Sequence, residues 1–275
     1  MSNNATIAAM VELPIYRLFQ GEGQDTTDVV VQEALLSLSI NGYPAYHLLY
    51  LPGLEAELCL GFLLTAGVIE GTADIAEMRL LPPESTAGRL VFQVQVRLAK
   101  TFDTKRDFAG SMAAAVLAGA PEAREPLMAK QFRQQPPLAE PMRVKKLLDL
   151  MASLPDRQTI FQQTGGTHAI FLAEATDGAI LAGAEDVGRH NAFDKVIGQA
   201  LQKNLRTQQA LALLSGRASF EMVLKAARAG LPLLASVSAP TSLAIRLADW
   251  QGITLIGFAR QGRCNIYTHP QRLVF

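Results

Sequence analysis

The sequence predicts an α/β protein in which strands and helices alternate in the second half of the chain. From Phe161 onward, short apolar strands alternate with amphipathic helices across short polar junctions, an order typical of a layered domain with a partly parallel sheet. The first half instead shows alternating apolar strands around one helix, which predicts a smaller α+β part. With 49% hydrophobic and 18% charged residues, the 275-residue chain has enough apolar side chains for a large core.

The first half is predicted to begin with a flexible segment and to continue as strands and one helix. Residues 1–27 are weakly patterned. Asn41-Gly42 predicts a tight hairpin, since both residues tolerate positive φ, and Gly67 suits the end of a helix. The predicted elements are strands over 29–40, 43–51 and 89–98 and a helix over 55–66.

A proline-rich stretch separates the two halves. Residues 119–143 hold five of the fourteen prolines together with Ala, Glu and Gln, which predicts a linker or an irregular crossover. The predicted division is therefore an N-terminal part over 28–118, this linker, and a second domain over 144–275. In the second domain, strands are predicted over 168–175, 180–184, 211–214, 231–237, 253–258 and 265–268, with helices over 147–154, 189–203, 219–229 and 240–250.

Composition argues against several classes of function. Twenty-five Lys and Arg residues balance twenty-five Asp and Glu residues, so no overall charge favours nucleic acid or an anionic membrane. The two cysteines, Cys59 and Cys264, form no CxxC and predict neither a metal site nor a disulfide framework. No apolar run reaches transmembrane length, and residues 1–13 lack the pattern of a signal peptide, so we expect a cytoplasmic protein.

A cluster of ionisable residues marks the start of the helix predicted over 189–203. The stretch from Glu185 to Lys195 reads E-D-V-G-R-H-N-A-F-D-K, and the apolar residues from Phe193 onward recur with helical spacing. Arg189 and His190 would lie near the positive end of the helix dipole, where a bound anion offsets the unfavourable charge. The stretch therefore predicts either a solvated helix cap or part of an anion-binding site.

Four further polar junctions lie in the second half. In open α/β sheets ligands bind beyond the carboxyl ends of the strands, where small residues admit a ligand to backbone amides, and hydroxyls and arginines bind phosphate. Each junction alone has a simpler explanation: a helix N-cap for Ser219 or Ser238, a turn, a structural histidine, or solvated arginines. Together they predict a phosphate-rich ligand, either a nucleotide or a nucleotide-bearing cofactor. The junctions span 164–168, 215–219, 236–242 and 260–263.

Signatures of several other ligand sites are absent from the sequence. The chain has no GxGxxG after a strand, no GxxxxGK[ST] and no GxSxG, so dinucleotide-binding, P-loop and hydrolase-elbow sites are not supported. The zinc-deaminase pattern, H-x-E followed by P-C-x-x-C, is absent as well. No protein-bound metal is therefore expected.

These residues resemble a known family. The motifs closely resemble those of the formate dehydrogenase accessory protein family (FdhD/NarQ), whose members are sulfur carriers or sulfurtransferases. The resemblance covers about residues 28–100 and 145–275. The matching strings are T-G-G-T-H-A at 164–169, E-D-V-G-R-H-N-A-F-D-K at 185–195, S-G-R at 215–217, S-V-S-A-P-T-S at 236–242 and G-F-A-R at 257–260, with N-G at 41–42 and G-F-L-L-T-A-G-V-I at 61–69 in the first half.

The resemblance implies a fold, a ligand and partners. It implies a cytidine-deaminase-like three-layer α/β/α domain without zinc, preceded by a smaller N-terminal α+β part, in a homodimer. Family members receive sulfur from a cysteine desulfurase and pass it to molybdopterin guanine dinucleotide for insertion into formate dehydrogenase. The guanine nucleotide end, for which GDP is a surrogate, binds near the family's Phe-x-Arg segment, which corresponds here to residues 258–263.

The residues and the resemblance together predict one cofactor site, and no residue is assigned a catalytic role. Within 185–195, the side chains of Asp186, His190, Asp194 and Lys195 are left open between ligand contacts and a structural network. The predicted cofactor-binding residues are Gly165, Gly166, His168, Gly188, Arg189, Ser215, Gly216, Arg217, Ser238, Phe258, Ala259, Arg260, Gln261, Gly262 and Arg263.

One departure from the family bears on the chemistry. Sulfur-carrying members use a C-G-x-C-G motif, and the best alignment places Ala114 and Leu117 where the two thiols should be, although a persulfide needs a thiolate. Cys59 is expected to be a small core residue, whereas the cation of Arg263 is expected to lower the pKa of Cys264. Whether the chain is an enzyme is therefore left open. The alternatives are an accessory protein that assists sulfuration and delivery of the cofactor, a cofactor-binding chaperone without chemistry, and a sulfurtransferase that uses Cys264.

Overall fold

The computed structural model describes residues 9–86, 89–99, 101, 135 and 138–275. The first half begins with a two-stranded antiparallel hairpin and continues as a four-stranded sheet that packs on one helix. In chain order its elements are β1 (Met10–Phe19), β2 (Glu22–Val31), β3 (Ala34–Ile40), β4 (Tyr43–Tyr50), α1 (Glu55–Ala66), β5 (Ile75–Thr86) and β6 (Arg89–Leu98).

Three parts of the first half differ from the predicted elements. The hairpin of β1 and β2 is not predicted, because most of its side chains are exposed on both faces and leave no one-sided apolar pattern. The strand predicted over 29–40 is wrong, since β2 ends at Val31 and a new strand begins at Ala34. Strand β5 was missed because Pro82-Pro83 interrupts it, and the register shifts at this point. The expected flexibility of 1–27 and the predicted division of the chain stay predictions.

The second half is built on a six-stranded sheet with helices on both faces. This arrangement confirms the predicted α/β class. In chain order the elements are β7 (Met142–Arg143), α2 (Val144–Ala152), α3 (Leu154–Arg157), α4 (Thr159–Thr164), β8 (His168–Glu174), β9 (Ile180–Asp186), α5 (Arg189–Gln202), β10 (Ala210–Leu214), α6 (Phe220–Arg228), β11 (Leu233–Ser236), α7 (Ser242–Gln251), β12 (Thr254–Arg260), β13 (Arg263–Ile266) and β14 (Leu273–Val274).

The strand directions bring the polar junctions to one edge of this sheet. The strand order is β13-β12-β11-β10-β8-β9, with β10, β11 and β12 parallel to one another. Because β8 runs antiparallel to β10 and β9 antiparallel to β8, β8 begins and β9 ends where the parallel strands end. We call this side of the sheet the carboxyl edge. Its strand-end residues are His168, Asp186, Leu214, Ser236 and Arg260.

The side chains of β8 show that the second half has three layers. Ile170 and Leu172 belong to an apolar cluster that contains Phe193 of α5 and residues of α6 and α7. Phe171 points to the opposite face and joins a second cluster with Leu147 of α2. The sheet is therefore covered by α5, α6 and α7 on one face and by α2 and α3 on the other. The specific likeness to cytidine deaminases stays a prediction.

A close crossing of α1 and α5 joins the two halves. A Cβ added at Gly61 would overlap the backbone carbonyl of Asp194, and one added at Gly198 would overlap the carbonyl of Glu57. Glycine at both positions therefore lets the two helix backbones approach each other closely. One apolar cluster runs through this crossing and contains Leu36 of β3 as well as residues of the six-stranded sheet.

Candidate functional site

The loop after β10 is held against the start of β8. The amide of Ala169 donates to Ser215 Oγ at 2.8 Å, and the amide of Ser215 donates to the Ala169 carbonyl at 3.0 Å. A Cβ added at Gly216 would lie 3.3 Å from Nδ1 of His168, so the loop backbone passes close to the imidazole ring. These contacts bring the predicted residues His168, Ser215 and Gly216 together, with Arg217 next in the same loop.

The loop after β11 is tied to its neighbours on both sides through Ser236. The buried hydroxyl of Ser236 donates to the Gly216 carbonyl at 2.6 Å and accepts from the amide of Ser238 at 3.0 Å. The carbonyl of Ser238 in turn accepts from the amide of Phe258 at 3.1 Å. Ser236 therefore connects the loops after β10 and β11 and, through Ser238, the end of β12. Ser236 belongs to one of the predicted motifs but is not among the predicted site residues, because the sequence does not show which groups a serine at the end of a buried strand binds.

The structure also shows which of the two serines Ser219 and Ser238 is a helix N-cap. The N-cap of α7 is Thr241, whose hydroxyl accepts from the amide of Ala244 at 3.3 Å, so the N-cap alternative for Ser238 is wrong. Ser219 does occupy the N-cap position of α6, but its side chain makes no capping hydrogen bond. Its Oγ is buried and has no hydrogen-bond partner in the described part of the chain.

The Phe258–Arg263 segment forms the end of β12 and the turn into β13. Phe258 adopts a positive φ of 52°, which is uncommon for a bulky residue, and the register of β12 and β13 shifts next to it. The side chains of Arg260, Gln261 and Arg263 are exposed at this turn. Ala259 is fully buried, so it can offer a ligand no side-chain contact. Gly262 also lies in the turn, with a φ of 71°.

The predicted Gly165-Gly166 junction is primarily a helix end. Gly165 caps α4 with a φ of 66°, as expected for the turn alternative, and Gly166 packs against Val31 of β2. The carboxylate of Glu185 holds this region in place, because it accepts from the amides of Ile160 and Phe161 at 2.9 and 2.8 Å and from the hydroxyl of Thr167 at 2.7 Å.

One open question about 185–195 is resolved by a buried ion pair. Lys195 Nζ lies 2.8 Å from Asp186 Oδ2 and donates to the Leu51 carbonyl at 2.7 Å. Asp186 also accepts from the amides of Leu51 and Gly188, each at 3.1 Å. Both ionisable side chains are thus used inside the fold, and they connect Leu51, which follows β4, to the end of β9 and the middle of α5.

A second buried ion pair lies at the α1–α5 crossing. Lys225 Nζ of α6 contacts Asp194 at 2.7 Å, and the hydroxyl of Thr65 on α1 donates to the same carboxylate at 2.7 Å. Burial raises the pKa of Asp194, and Lys225 and Thr65 oppose that shift. Asp194 and Lys195 are therefore structural residues rather than ligand contacts.

Arg189 belongs to the same stretch, but its side chain is not fully paired inside the fold. It follows Gly188, the N-cap of α5, and its Nε is buried with no hydrogen-bond partner among the described residues. His190 contacts the carboxylate of Glu221 on α6 through Nε2. Burial is the main cause that lowers the pKa of His190, whereas Glu221 opposes that shift. Unpartnered polar groups therefore occur at the N-termini of α5 and α6, where backbone amides also favour an anion.

The two cysteines are poor candidates for sulfur chemistry. Cys59 is fully buried in the core, as expected, and burial raises its pKa. Cys264 is half-buried, and burial raises its pKa too, so the expected lowering by Arg263 is wrong. Ala114 and Leu117 lie outside the described residues. No cluster of potential metal ligands occurs in the described ranges, and no helix there is long and apolar enough to cross a membrane.

A separate groove of about 700 Å³ lies on the outer face of the four-stranded sheet. Its lining includes the uncharged polar side chains of Ser37, Ser39, Gln93 and Gln95 and three charged ones, Glu77, Arg79 and Arg97, which form ion pairs with one another. It contains none of the predicted site residues. The carboxyl edge, where charged and unpartnered groups converge, is therefore the better candidate for the functional site.

Comparisons with known proteins show the family to which the chain is similar. The family model described as the FdhD/NarQ family matches residues 31–274. The chain is 39% identical over 261 residues to the sulfur carrier protein FdhD of Bordetella bronchiseptica, covering 93% of this chain and 90% of that protein. It is 37% identical over 280 residues to the sulfur carrier protein FdhD of Anaeromyxobacter dehalogenans, covering 98% and 95%.

One solved structure shares the fold. It is the crystal structure of a candidate formate dehydrogenase accessory protein from Desulfotalea psychrophila, which matches with a TM-score of 0.74 and 23% sequence identity. The match covers 97% of this chain and 100% of that one. The likeness therefore extends over both halves of the molecule.

Proposed function

The chain belongs to the FdhD/NarQ family, and from this premise we propose that it is a formate dehydrogenase accessory protein that binds molybdopterin guanine dinucleotide at the carboxyl edge. The observation that carries the proposal is a pair of buried groups at the N-termini of α5 and α6, Arg189 Nε and Ser219 Oγ, which have no hydrogen-bond partner within the described ranges. A buried polar group without a partner costs about 1–3 kcal/mol, and a bound phosphate would remove that cost.

The surrounding residues fit a phosphate-bearing ligand. Arg217 is exposed at the end of the loop after β10, and guanidinium groups bind phosphate bidentately. The carboxylate of Glu221, which contacts His190, is an opposing charge, but its side chain is 47% exposed, so solvent and salt screen it. The exposed turn of Arg260 and Arg263 offers further cations beside the strand end. The cofactor itself would supply the molybdenum chemistry.

For the sulfur step, we propose that this chain contributes binding and delivery rather than a carrier thiol. Its relatives are named sulfur carriers, yet Cys59 and Cys264 are the only cysteines in the sequence. A raised thiol pKa leaves little thiolate at neutral pH, which argues against a persulfide on either residue. Incubation with a cysteine desulfurase and cysteine should therefore add no sulfur to the chain, as measured by intact mass. As a delivery protein it would act on formate dehydrogenase, and we expect a cytoplasmic homodimer.

Calorimetric titration with GDP tests the binding site. We expect saturable binding that is weakened about 10-fold in Arg217→Ala, the loss expected for one charge-assisted phosphate contact. Arg206→Ala is the matched control, because Arg206 is an exposed arginine before β10 and lies outside the carboxyl edge. Absence of binding at millimolar GDP by a protein with a cooperative unfolding transition would refute the proposed function.

A further inference from the structure

His168 lies at the carboxyl edge, where β8 begins, and the described carboxylates nearest to it in sequence and in register are bound by other groups. Arg189 of α5 and Arg217 of the loop after β10 act on it electrostatically. On β9, Asp186 is opposite His168 in register, but its carboxylate is held by Lys195. Glu185 is held by the start of α4 and by Thr167. The segment before β8, residues 164–167, contributes no titratable side chain.

We propose that His168 is a phosphate-binding group of this site and takes up a proton from solvent when the ligand binds. The inference rests on the proposed function and deepens it, since it assigns the ligand's phosphates, rather than its base, to the cluster of His168, Arg189 and Arg217. Neutral imidazole, a solvent proton and the phosphate ligand combine to give imidazolium paired with phosphate, so no other reactant is needed.

The loop after β10 packs against the imidazole ring of His168. Gly216 packs on Nδ1, and its loop is anchored to β8 by the two hydrogen bonds between Ala169 and Ser215. The ring is half-buried and hence accessible from the edge of the sheet. A phosphate that bridges Arg189 and Arg217 would therefore lie near this ring. Imidazolium can donate to phosphate oxygens from both nitrogens, whereas neutral imidazole can donate from only one.

The electrostatics give the direction of the proton movement. Burial lowers the pKa of His168 from its ordinary value of 6.5, and the charges of Arg189 and Arg217 lower it further. Without a ligand the ring is therefore neutral at pH 7. A phosphate neutralises the two guanidinium groups and reverses the local charge, which raises the pKa in the complex. Affinity should then increase as the pH falls from the pKa of the complex toward the pKa of the free protein, and level off below it.

The test is proton uptake measured by calorimetry. GDP and inorganic pyrophosphate are titrated at pH 7 in two buffers of different ionisation enthalpy. We compare wild type, His168→Gln, and His47→Gln, whose target is an exposed histidine on β4. Because the ligands also titrate near neutral pH, the relevant quantity is the difference between variants. Wild type and His47→Gln should take up more protons per ligand than His168→Gln, and at pH 6 His168→Gln should bind about 10-fold more weakly than wild type.

A second measurement does not depend on the folding of the variant. The pH titration of the His168 imidazole resonances in wild type should move to higher pH when pyrophosphate is added, while those of His47 should not move. Ligand binding without a shift of the His168 titration, or equal proton uptake in His168→Gln and wild type, would overturn this inference and leave the proposed function standing. If neither GDP nor pyrophosphate binds to the folded protein, both proposals fail.

Discussion

Residues 185–195 contribute to both the carboxyl edge and the α1–α5 crossing, but two of their ionisable side chains, Arg189 and Asp194, differ in how the fold pairs them. At the crossing, Asp194 is fully buried and is bound by Lys225 and Thr65. At the carboxyl edge, Arg189 lies at the start of the same helix, and its Nε has no hydrogen-bond partner in the part of the chain that the structure describes. Both residues are ionisable, and five positions along α5 separate them.

This difference distinguishes residues of the motif that stabilise the fold from residues that are expected to bind a ligand. A buried charge with partners on other elements contributes to the fold, and removing one partner leaves the other uncompensated. A buried polar group without a partner costs stability until a ligand satisfies it. A substitution of Asp194 should therefore lower the free energy of unfolding, whereas a substitution of Arg189 should weaken ligand binding.

The largest expected effect is at the crossing. Asp194→Ala leaves the ammonium of Lys225 buried without its carboxylate, and we expect a loss of about 3–5 kcal/mol in the free energy of unfolding. Urea denaturation followed by circular dichroism measures this loss. In the double variant Asp194→Leu, Lys225→Met, which removes both charges, most of the loss should be recovered.

The matched control for this pair is Asp149→Ala on α2. Its carboxylate lies 3.8 Å from Lys145 on the helix surface, and both side chains are well exposed. Exposed pairs of this kind contribute about 0.3–0.5 kcal/mol, so a small change is expected. If Asp194→Ala were no more destabilising than Asp149→Ala, the buried pair would have no special role in joining the halves.

A smaller loss is expected from filling the glycine contacts. Gly198→Ala places a methyl group against the Glu57 carbonyl, and overpacking of this kind costs about 1–3 kcal/mol although alanine favours a helix. Gly71→Ala is the control, because an added Cβ there meets no atom of the described residues within 4 Å and the backbone is extended. Thermal unfolding should separate the two variants, and equal midpoints would contradict the close approach of α1 and α5.

The smallest loss of stability should come from Arg189, with a large effect on binding. Arg189→Met keeps an aliphatic side chain and removes the buried Nε, which has no partner among the described residues, so we expect no loss in the free energy of unfolding and a gain of up to about 1–3 kcal/mol. Binding of GDP should weaken by roughly 10–100-fold, the range for a lost charge-assisted contact. A destabilised variant with unchanged GDP affinity would place Arg189 in the scaffold instead.

Local sequence patterns predicted much of the second half and the helix of the first. The helix predicted over 55–66 coincides with α1, and the strand over 89–98 coincides with β6, because apolar periodicity is a local property. The hairpin of β1 and β2 was missed, since pairing of exposed strands leaves no such periodicity. The pKa of Cys264 was predicted in the wrong direction because burial, which depends on the tertiary structure, raises it.

The sequence by itself determined which junctions carry hydroxyls, glycines and charges, and the alternation of elements that places them at strand ends. The tertiary structure decided which of those groups are free to bind a ligand. Asp186 is bound by Leu51 and Lys195, and Asp194 by Thr65 and Lys225, whereas Nε of Arg189 has no partner among the described residues. Hydrogen-bond partners are set by contacts between residues far apart in the chain, which periodicity along the sequence does not encode.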